Sequence, residues 1–225
     1  MKVSIIIPCY NENKTIKQVI SKVKGLNLNK EIIVVDDGST DDSFKSIKGI
    51  SGIKTFQHSK NMGKGAAVKT GILQSTGDII IIQDADLELD PEQIPKLVKP
   101  IIDKKALVVY GTRNNRQNDL HNRSPIFYFG GLLVTFLTNF LYGTKITDEA
   151  CGYKAFRSEI IKKIKIENNR FEWEPEITAK IAKAGIKIHE IPVISTARSS
   201  FNGKKLKRID GIKAILTLIK YRLKK

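Results

Sequence analysis

The chain has 225 residues, of which 41% are apolar and 28% are charged, so it can bury the core of one domain and is too apolar to be disordered throughout. Its formal net charge of +16 is typical of proteins that meet polyanions such as nucleic acid, anionic lipid headgroups or phosphorylated substrates. Its two distant cysteines, Cys9 and Cys151, argue against a zinc site or a disulfide framework and fit a reducing compartment.

The first half of the chain alternates strand-like and helix-like segments. Runs of β-branched and other apolar residues predict strands at 2–7, 31–35, 53–58, 78–83 and 107–110. Helices are predicted between them at 12–24, from Ser39 or Thr40 to about Ile47, at 64–74, and from Pro91 to about Lys104 with interruptions at Pro95 and Pro100. This alternation predicts an α/β fold with a mainly parallel central sheet flanked by helices.

Polar motifs follow three of these strands where each strand ends. They are residues 8–12 after the first strand, 36–41 after the second and 84–88 after the fourth. Ligands bind at the carboxyl ends of the strands in parallel sheets. The sequence therefore predicts a site at this edge.

The sharpest motif is the carboxylate group of Asp84, Asp86 and Glu88. Three carboxylates at alternate positions after a buried strand can converge on one hard cation, Mg²⁺ or Mn²⁺. Phosphate oxygens and water molecules then complete the coordination shell of the cation. Such a cation neutralises a diphosphate leaving group. An isolated motif of this kind would be only a solvated acidic turn, and its place directly after residues 79–83 favours a site.

Two further motifs are ambiguous. Residues 36–41 are either an Asx turn with a helix cap or a carboxylate that accepts hydrogen bonds from a base or ribose. Residues 61–65 place backbone N–H groups and Lys64 at a helix start, where an anion could bind. They lack the full P-loop pattern, and a helix cap explains them nearly as well.

The second half contains a basic loop, an apolar stretch and a basic C-terminal helix. The apolar stretch, 126–143, has about the minimum length for crossing a bilayer, but Asn139, two threonines and three glycines interrupt it. We interpret it as a buried or interfacial helix, with a membrane span as the alternative. Between it and the amphipathic helix at 204–225, the patterns predict a turn and short strand at 148–156, a helix at 174–184 and a strand at 187–193.

These motifs together resemble family 2 glycosyltransferases with the GT-A fold, a nucleotide-diphospho-sugar transferase fold. Within that group the chain is most similar to polyprenyl-phosphate hexosyltransferases such as the dolichyl-phosphate mannose and glucose synthases. The resemblance rests on four ordered motifs and continues at the segments 148–156, 171–176 and 190–193, at Arg198, and at 203–205. The four motifs are Pro8-Cys9-Tyr10-Asn11-Glu12, Asp36-Asp37-Gly38-Ser39-Thr40-Asp41, Asn61-Met62-Gly63-Lys64-Gly65 and Asp84-Ala85-Asp86-Leu87-Glu88. It implies one domain over 1–225, with a nucleotide-sugar half at 1–110, an acceptor half at 111–200 and a basic amphipathic segment at 201–225.

The resemblance also implies roles for particular residues. The donor-binding set is Pro8, Tyr10, Glu12, Asp37, Lys64, Asp84, Ala85, Asp86, Arg198 and Lys204. The implied metal ligands are Asp84, Asp86 and Glu88. The acceptor phosphate would be bound by Arg113, Arg123 and Ser124, and on sequence alone Arg116 is interchangeable with Arg123 and Ser124. Asp86 and Asp148 are the catalytic candidates. For Lys205, Lys207 and Arg208 the main alternative is a solvated positive surface.

The expected reaction is metal-dependent inverting transfer of a hexose from GDP-mannose or UDP-glucose to a polyprenyl phosphate, with UDP-GlcNAc also open as donor. A phosphate acceptor brings an ionised nucleophile and needs positioning and charge screening more than a base. The alternative acceptor is a glycan hydroxyl, for which Asp148 would be the base. Another alternative is a non-catalytic basic module that binds membranes or nucleic acid.

The expected partners follow from the charge and the two amphipathic segments. No nucleic-acid-binding motif is present in the sequence, so we expect no nucleic acid partner. Basic residues beside apolar ones favour an anionic membrane surface. We therefore expect a cytoplasmic protein that is peripherally associated with the membrane, and a separate membrane-protein partner stays open.

Overall fold

The computed structural model of the protein describes residues 1–113, 125–196, 205 and 207–224. Its strands are β1 Val3–Cys9, β2 Lys30–Asp36, β3 Lys54–Gln57, β4 Ile79–Ile82, β5 Val108–Thr112, β6 Lys154–Arg157 and β7 Ile188–Pro192. Its α-helices are α1 Ile16–Gly25, α2 Ser43–Ile47, α3 Lys64–Gln74, α4 Ile94–Ile102, α5 Pro125–Tyr142, α6 Ser158–Ile161, α7 Trp173–Lys183 and α8 Arg208–Leu223, and a 3₁₀ turn covers Pro91–Gln93.

The strands form one sheet in the order β3-β2-β1-β4-β6-β5-β7. Neighbouring strands run parallel, except that β6 is antiparallel to both β4 and β5. The predicted mainly parallel α/β sheet is therefore confirmed. Because β1, β2 and β4 are parallel, the polar segments that follow them meet at one edge of the sheet.

Both faces of the central strands are covered by helices, which explains why these strands are apolar at nearly every position. In β1, Ile5 and Ile7 pack in the core cluster that contains the buried side chains of α1 and α4. Ile6 points the other way, into the cluster with α3 and α7. Helix α3 lies close to β1 because Gly71 has no side chain, since a Cβ there would lie 2.3 Å from Cγ2 of Ile6.

Three helix predictions were wrong in detail. Helix α4 runs through Pro95 and Pro100, because Pro95 falls in the first turn, where a backbone N–H has no intrahelical partner, and because the buried apolar stripe holds the helix in place. Helix α2 begins at Ser43 and not beside Ser39, since the Ser39 hydroxyl donates to Asp36 at 2.5 Å. The first helix likewise begins at Ile16, later than the pattern suggested.

Helices α5 and α8 pack against each other. The hydroxyl of Tyr142 donates to the carbonyl oxygen of Leu218 at 2.5 Å, and Glu167 binds the C-terminal turns of α8 through Lys224 and Tyr221 at 2.7 and 2.9 Å. These hydrogen bonds lower the pKa of Glu167 to about 2. The apolar stretch is helical as predicted, and within the described residues no helix has the length and apolar character needed to cross a membrane.

Candidate active site

A cavity of about 780 Å³ lies at the carboxyl ends of β1, β2 and β4. It is lined by every predicted site residue that the structure describes. These are Pro8, Tyr10, Glu12, Asp37, Lys64, Asp84, Ala85, Asp86, Glu88, Arg113 and Asp148. The other predicted residues, Arg116, Arg123, Ser124, Arg198 and Lys204, lie outside the described residues.

Asp37 organises the wall of the cavity beside β2. Its carboxylate accepts the backbone N–H groups of Met62 at 3.0 Å and Gly63 at 2.7 Å, and its Oδ1 lies 2.7 Å from Nδ1 of His58. The loop ahead of α3 therefore depends on Asp37. The position of Gly63 in this loop requires glycine, because its φ is +107° and a Cβ would lie 2.4 Å from the carbonyl oxygen of Asn169.

Lys64 binds two carboxylates at the centre of the cavity. Its Nζ lies 2.8 Å from Oδ1 of Asp84 and 2.9 Å from Oε1 of Glu174. Burial alone would lower the pKa of Lys64, but the charges of Asp84 and Glu174 outweigh burial and raise it above its ordinary value. The ammonium group is therefore charged at any physiological pH, and Asp84 already has a cationic partner.

The turn 84–88 does not bring three carboxylates together. Asp86 Oδ1 accepts the backbone N–H of Glu88 at 3.0 Å, and Leu87 between them has a φ of +62°, in the left-handed region. Among the described residues, no group of three or more His, Cys, Asp or Glu side chains is placed to hold a metal ion. The set of Asp84, Asp86 and Glu88 as metal ligands stays a prediction; in this structure Lys64 binds Asp84.

The partly buried Arg113 and the buried Asp148 form a bidentate ion pair. Nε of Arg113 donates to Oδ2 at 2.6 Å and Nη2 donates to Oδ1 at 2.7 Å, while the Arg113 backbone N–H also reaches Oδ2 at 3.1 Å. Asp148 is only 2% exposed. A carboxylate held in this way orients the guanidinium group, and it must break these bonds before it can accept a proton.

Glu149 lies next to this pair in a buried polar network. Its Oε1 accepts the Thr178 hydroxyl at 2.9 Å and lies 3.8 Å from Nζ of the fully buried Lys154, whereas its buried Oε2 has no partner among the described residues. Burial raises the pKa of Glu149 to about 7, although the charge of Lys154 opposes the rise. Glu149 therefore titrates near neutral pH.

Two functional contacts were not predicted from the sequence. Lys205 is only partly exposed, and its Nζ donates to Glu12 Oε1 at 2.6 Å and to the carbonyl oxygen of Tyr10. Glu174 was not singled out, although it shares Lys64 with Asp84. Both contacts join residues more than 100 positions apart, so no local spacing could reveal them.

Comparison with known proteins shows the family of this chain. The family model of glycosyl transferase family 2 matches residues 4–165. The chain is 30% identical to a UDP-N-acetylglucosamine–dolichyl-phosphate N-acetylglucosaminyltransferase of Methanococcus voltae, over 84% of this chain and 83% of the relative. It is 28% identical to a dolichol-phosphate mannosyltransferase of Pyrococcus furiosus, over 98% of this chain and 64% of that relative.

Solved structures support the fold. The chain superposes on glucosyl-3-phosphoglycerate synthase of Mycobacterium tuberculosis, crystallised with Mn²⁺, uridine diphosphate and phosphoglyceric acid, with a TM-score of 0.78 at 21% identity. The match covers 99% of this chain and 78% of that structure. The chain therefore belongs to glycosyl transferase family 2 and is a glycosyltransferase with the GT-A fold.

Proposed function

We propose that this enzyme transfers a hexose from a nucleotide-diphospho-sugar to a polyprenyl phosphate at a membrane surface, with Mg²⁺ or Mn²⁺ as cofactor. GDP-mannose and UDP-glucose are the leading donors, and UDP-GlcNAc joins them because of the relative from M. voltae. The proposed donor contacts are those that line the cavity near β1, β2 and β4, together with Arg198 and Lys204. Lys205 and Glu174 join this set on the contacts described above.

The ion pair between Arg113 and Asp148 is the observation that favours a phosphate over a hydroxyl as acceptor. A hydroxyl acceptor needs a base, and the carboxylate of Asp148 is engaged at both oxygens by Arg113. A phosphate acceptor is already ionised and needs an oriented cation. Arg113, fixed by Asp148 inside the cavity, meets that need because a rigid guanidinium group suits a phosphate.

The carboxylates of the cavity fit a nucleotide-bound Mg²⁺ or Mn²⁺. Such ions are held by one or two protein carboxylates and by substrate phosphates, and not by a complete protein cage. Asp84 and Asp86 supply two carboxylates that line one cavity, and Asp84 already binds a cationic group. When bound, the metal would neutralise the charge that develops on the departing diphosphate.

An apolar face on α5 and α8 supports the membrane surface as partner. We define the apolar face as the exposed side chains Phe129, Leu133, Phe136, Phe140, Ile209, Ile212, Leu216, Ile219 and Leu223. Their spacing of three or four residues places them in a stripe on each helix. Lys213 and Lys220 on α8 and Lys224 directly after it are exposed, and basic residues beside apolar ones favour an anionic bilayer.

The decisive experiment is transfer of label from a panel of nucleotide sugars to a short polyprenyl phosphate, with and without Mn²⁺. We expect a lipid-linked product that requires the metal and is lost in Asp86→Asn. The matched control is Asp42→Asn, because Asp42 is 70% exposed and does not line the cavity. Metal-dependent transfer to a saccharide, with no lipid product, would overturn the phosphate acceptor and make Asp148 the candidate base.

A further inference from the structure

The cavity of the active site extends beyond the carboxylates into a cleft between three helices. Its walls there come from α5, from the start of α7 and from α8. We define this helix cleft by Phe127, Gly130, Gly131, Phe171, Gly211 and Ile215. These six residues carry no charge, and the charged residues Arg170, Lys207 and Asp210 line the cavity beside them.

The glycines of the helix cleft are not required by the packing of the helices. A Cβ at Gly130 or Gly211 would meet no atom within 4 Å, and a Cβ at Gly131 would meet only the Cβ of Ala150 at 4.0 Å. Gly71 differs, since its missing side chain is what lets α3 contact Ile6. Glycine inside a helix lowers helix stability relative to alanine. The open space beside Gly130 and Gly211 is therefore a feature of the cavity and not of the helix contact.

The outer end of the cleft opens on the apolar face. Leu133 and Ile212 both line the cavity and are 48% and 55% exposed, so they stand at its mouth. Arg113, the proposed phosphate contact, lines the same cavity. An acceptor whose phosphate reaches Arg113 must carry its hydrocarbon chain out of the cavity, and this apolar passage leads to the surface that would lie on the membrane.

We propose that the helix cleft binds the isoprene units next to the acceptor phosphate and selects an isoprenoid phosphate over a free one. This inference rests on the proposed function and adds the part of the site that recognises the lipid. The apolar walls match a hydrocarbon chain, and burial of its surface favours binding. The glycines leave room for the methyl branches, which a side chain at these positions would displace.

The test fills the cleft and varies the length of the acceptor. Gly130→Leu and Gly211→Leu add side chains where the fold has open space, so we expect both variants to fold with unchanged donor KM. Transfer would be measured in detergent, which removes any effect of membrane attachment, with phosphates that carry one to four isoprene units. We expect kcat/KM to fall about 10-fold or more for the longest acceptor and progressively less for shorter ones.

The control is Gly25→Leu, because a Cβ at Gly25 also meets no atom within 4 Å but Gly25 lies at the end of α1, outside the cavity. We expect it to match the wild type at every chain length. Wild-type efficiency for the longest acceptor in both cleft variants would overturn the inference, as would an equal loss for all chain lengths. Failure of the wild-type enzyme to use any polyprenyl phosphate would instead overturn the proposed function.

Discussion

Arg113 and Asp148 are joined by two parallel hydrogen bonds of 2.6 and 2.7 Å inside the cavity. Asp148 is itself held in place, because its backbone N–H donates to Oε1 of Glu190 at 3.2 Å. A bidentate pair of this kind fixes the direction of the guanidinium group as well as its charge. Two roles for Asp148 follow, and they can be told apart by experiment: Asp148 either orients a phosphate-binding arginine or acts as a base.

The first prediction concerns Asp148→Asn. The amide keeps one acceptor oxygen and loses the charge, so Arg113 loses one of its two hydrogen bonds and part of its orientation. We expect the KM for the polyprenyl phosphate to rise about 10-fold, as for loss of one charge-assisted hydrogen bond, with a smaller change in kcat. Steady-state kinetics with varied acceptor would measure both. Arg113→Lys should give a similar rise in KM, because lysine cannot form the bidentate contact.

A different result for Asp148→Asn would contradict the orienting role. If Asp148 is a base, the variant should lose about 100-fold or more in kcat with the KM of the acceptor unchanged. Arg113→Lys would then differ from it, since a lysine still compensates the charge of Asp148.

The second prediction concerns Lys64→Gln and the proposed metal. The ammonium of Lys64 lies 2.8 Å from Asp84, so it competes with a metal ion for that carboxylate. Without the donor, we expect Lys64→Gln to bind Mn²⁺ about 10-fold more tightly, because a positive charge beside the metal is removed. Affinity for the donor diphosphate should fall. The matched control is Lys69→Gln on the same helix, since Lys69 binds the side-chain amide of Asn169 and, among the described residues, no carboxylate.

Free Mn²⁺ can be followed by electron paramagnetic resonance during a titration of each variant. Equal Mn²⁺ affinity in the wild type, Lys64→Gln and Lys69→Gln would show that Asp84 is not a ligand of the metal. Because this readout does not use turnover, it tests the metal site separately from the acceptor.

The third prediction concerns the apolar face. Phe136 and Phe140 are 63% and 76% exposed, and their rings stack at 6.3 Å between centroids. Replacing both with serine should weaken sedimentation with anionic liposomes at least about 10-fold, since each buried aromatic ring contributes strongly to insertion. Leu73→Ser is the control, because Leu73 is 80% exposed on α3, away from this face. Loss of self-association with unchanged liposome binding would show instead that a second copy covers the face.

Much of the fold was predictable because it depends on local patterns. The apolar run at β4 and the helical spacing of α3 identified both elements to within a residue or two of their observed bounds. Because the carboxyl ends of parallel strands lie at one edge of a sheet, Asp37 and Asp84 were then predicted to lie at the same edge. These inferences need only periodicity and the parallel arrangement of successive strands.

The rest of the site depends on contacts between distant parts of the chain. Strand β6 enters the sheet antiparallel between β4 and β5, and this brings the loop before it over the carboxylates. Gly152 of that loop lies so close to Asp84 that a Cβ would be 2.2 Å from Oδ2. The spacing of apolar residues carries no information on how a later strand enters the sheet between earlier ones. The partners of Lys64 and Asp148 were therefore not predictable from the sequence.

The last prediction concerns Glu149 and pH. Burial raises the pKa of Glu149 from its ordinary value of 4.5 to about 7, so the folded protein holds a proton that the unfolded chain releases. Stability from this group is complete below about pH 4.5 and is lost as the pH rises through about 7. Between about pH 5 and about pH 8, we expect the free energy of unfolding of the wild type to fall about 2 kcal/mol more than that of Glu149→Gln. Urea titrations across this range would measure it, with Glu159→Gln as the control because Glu159 is 59% exposed. Parallel stability curves for the wild type and Glu149→Gln would mean that Lys154 keeps Glu149 ionised throughout, and that the buried pair is a salt bridge.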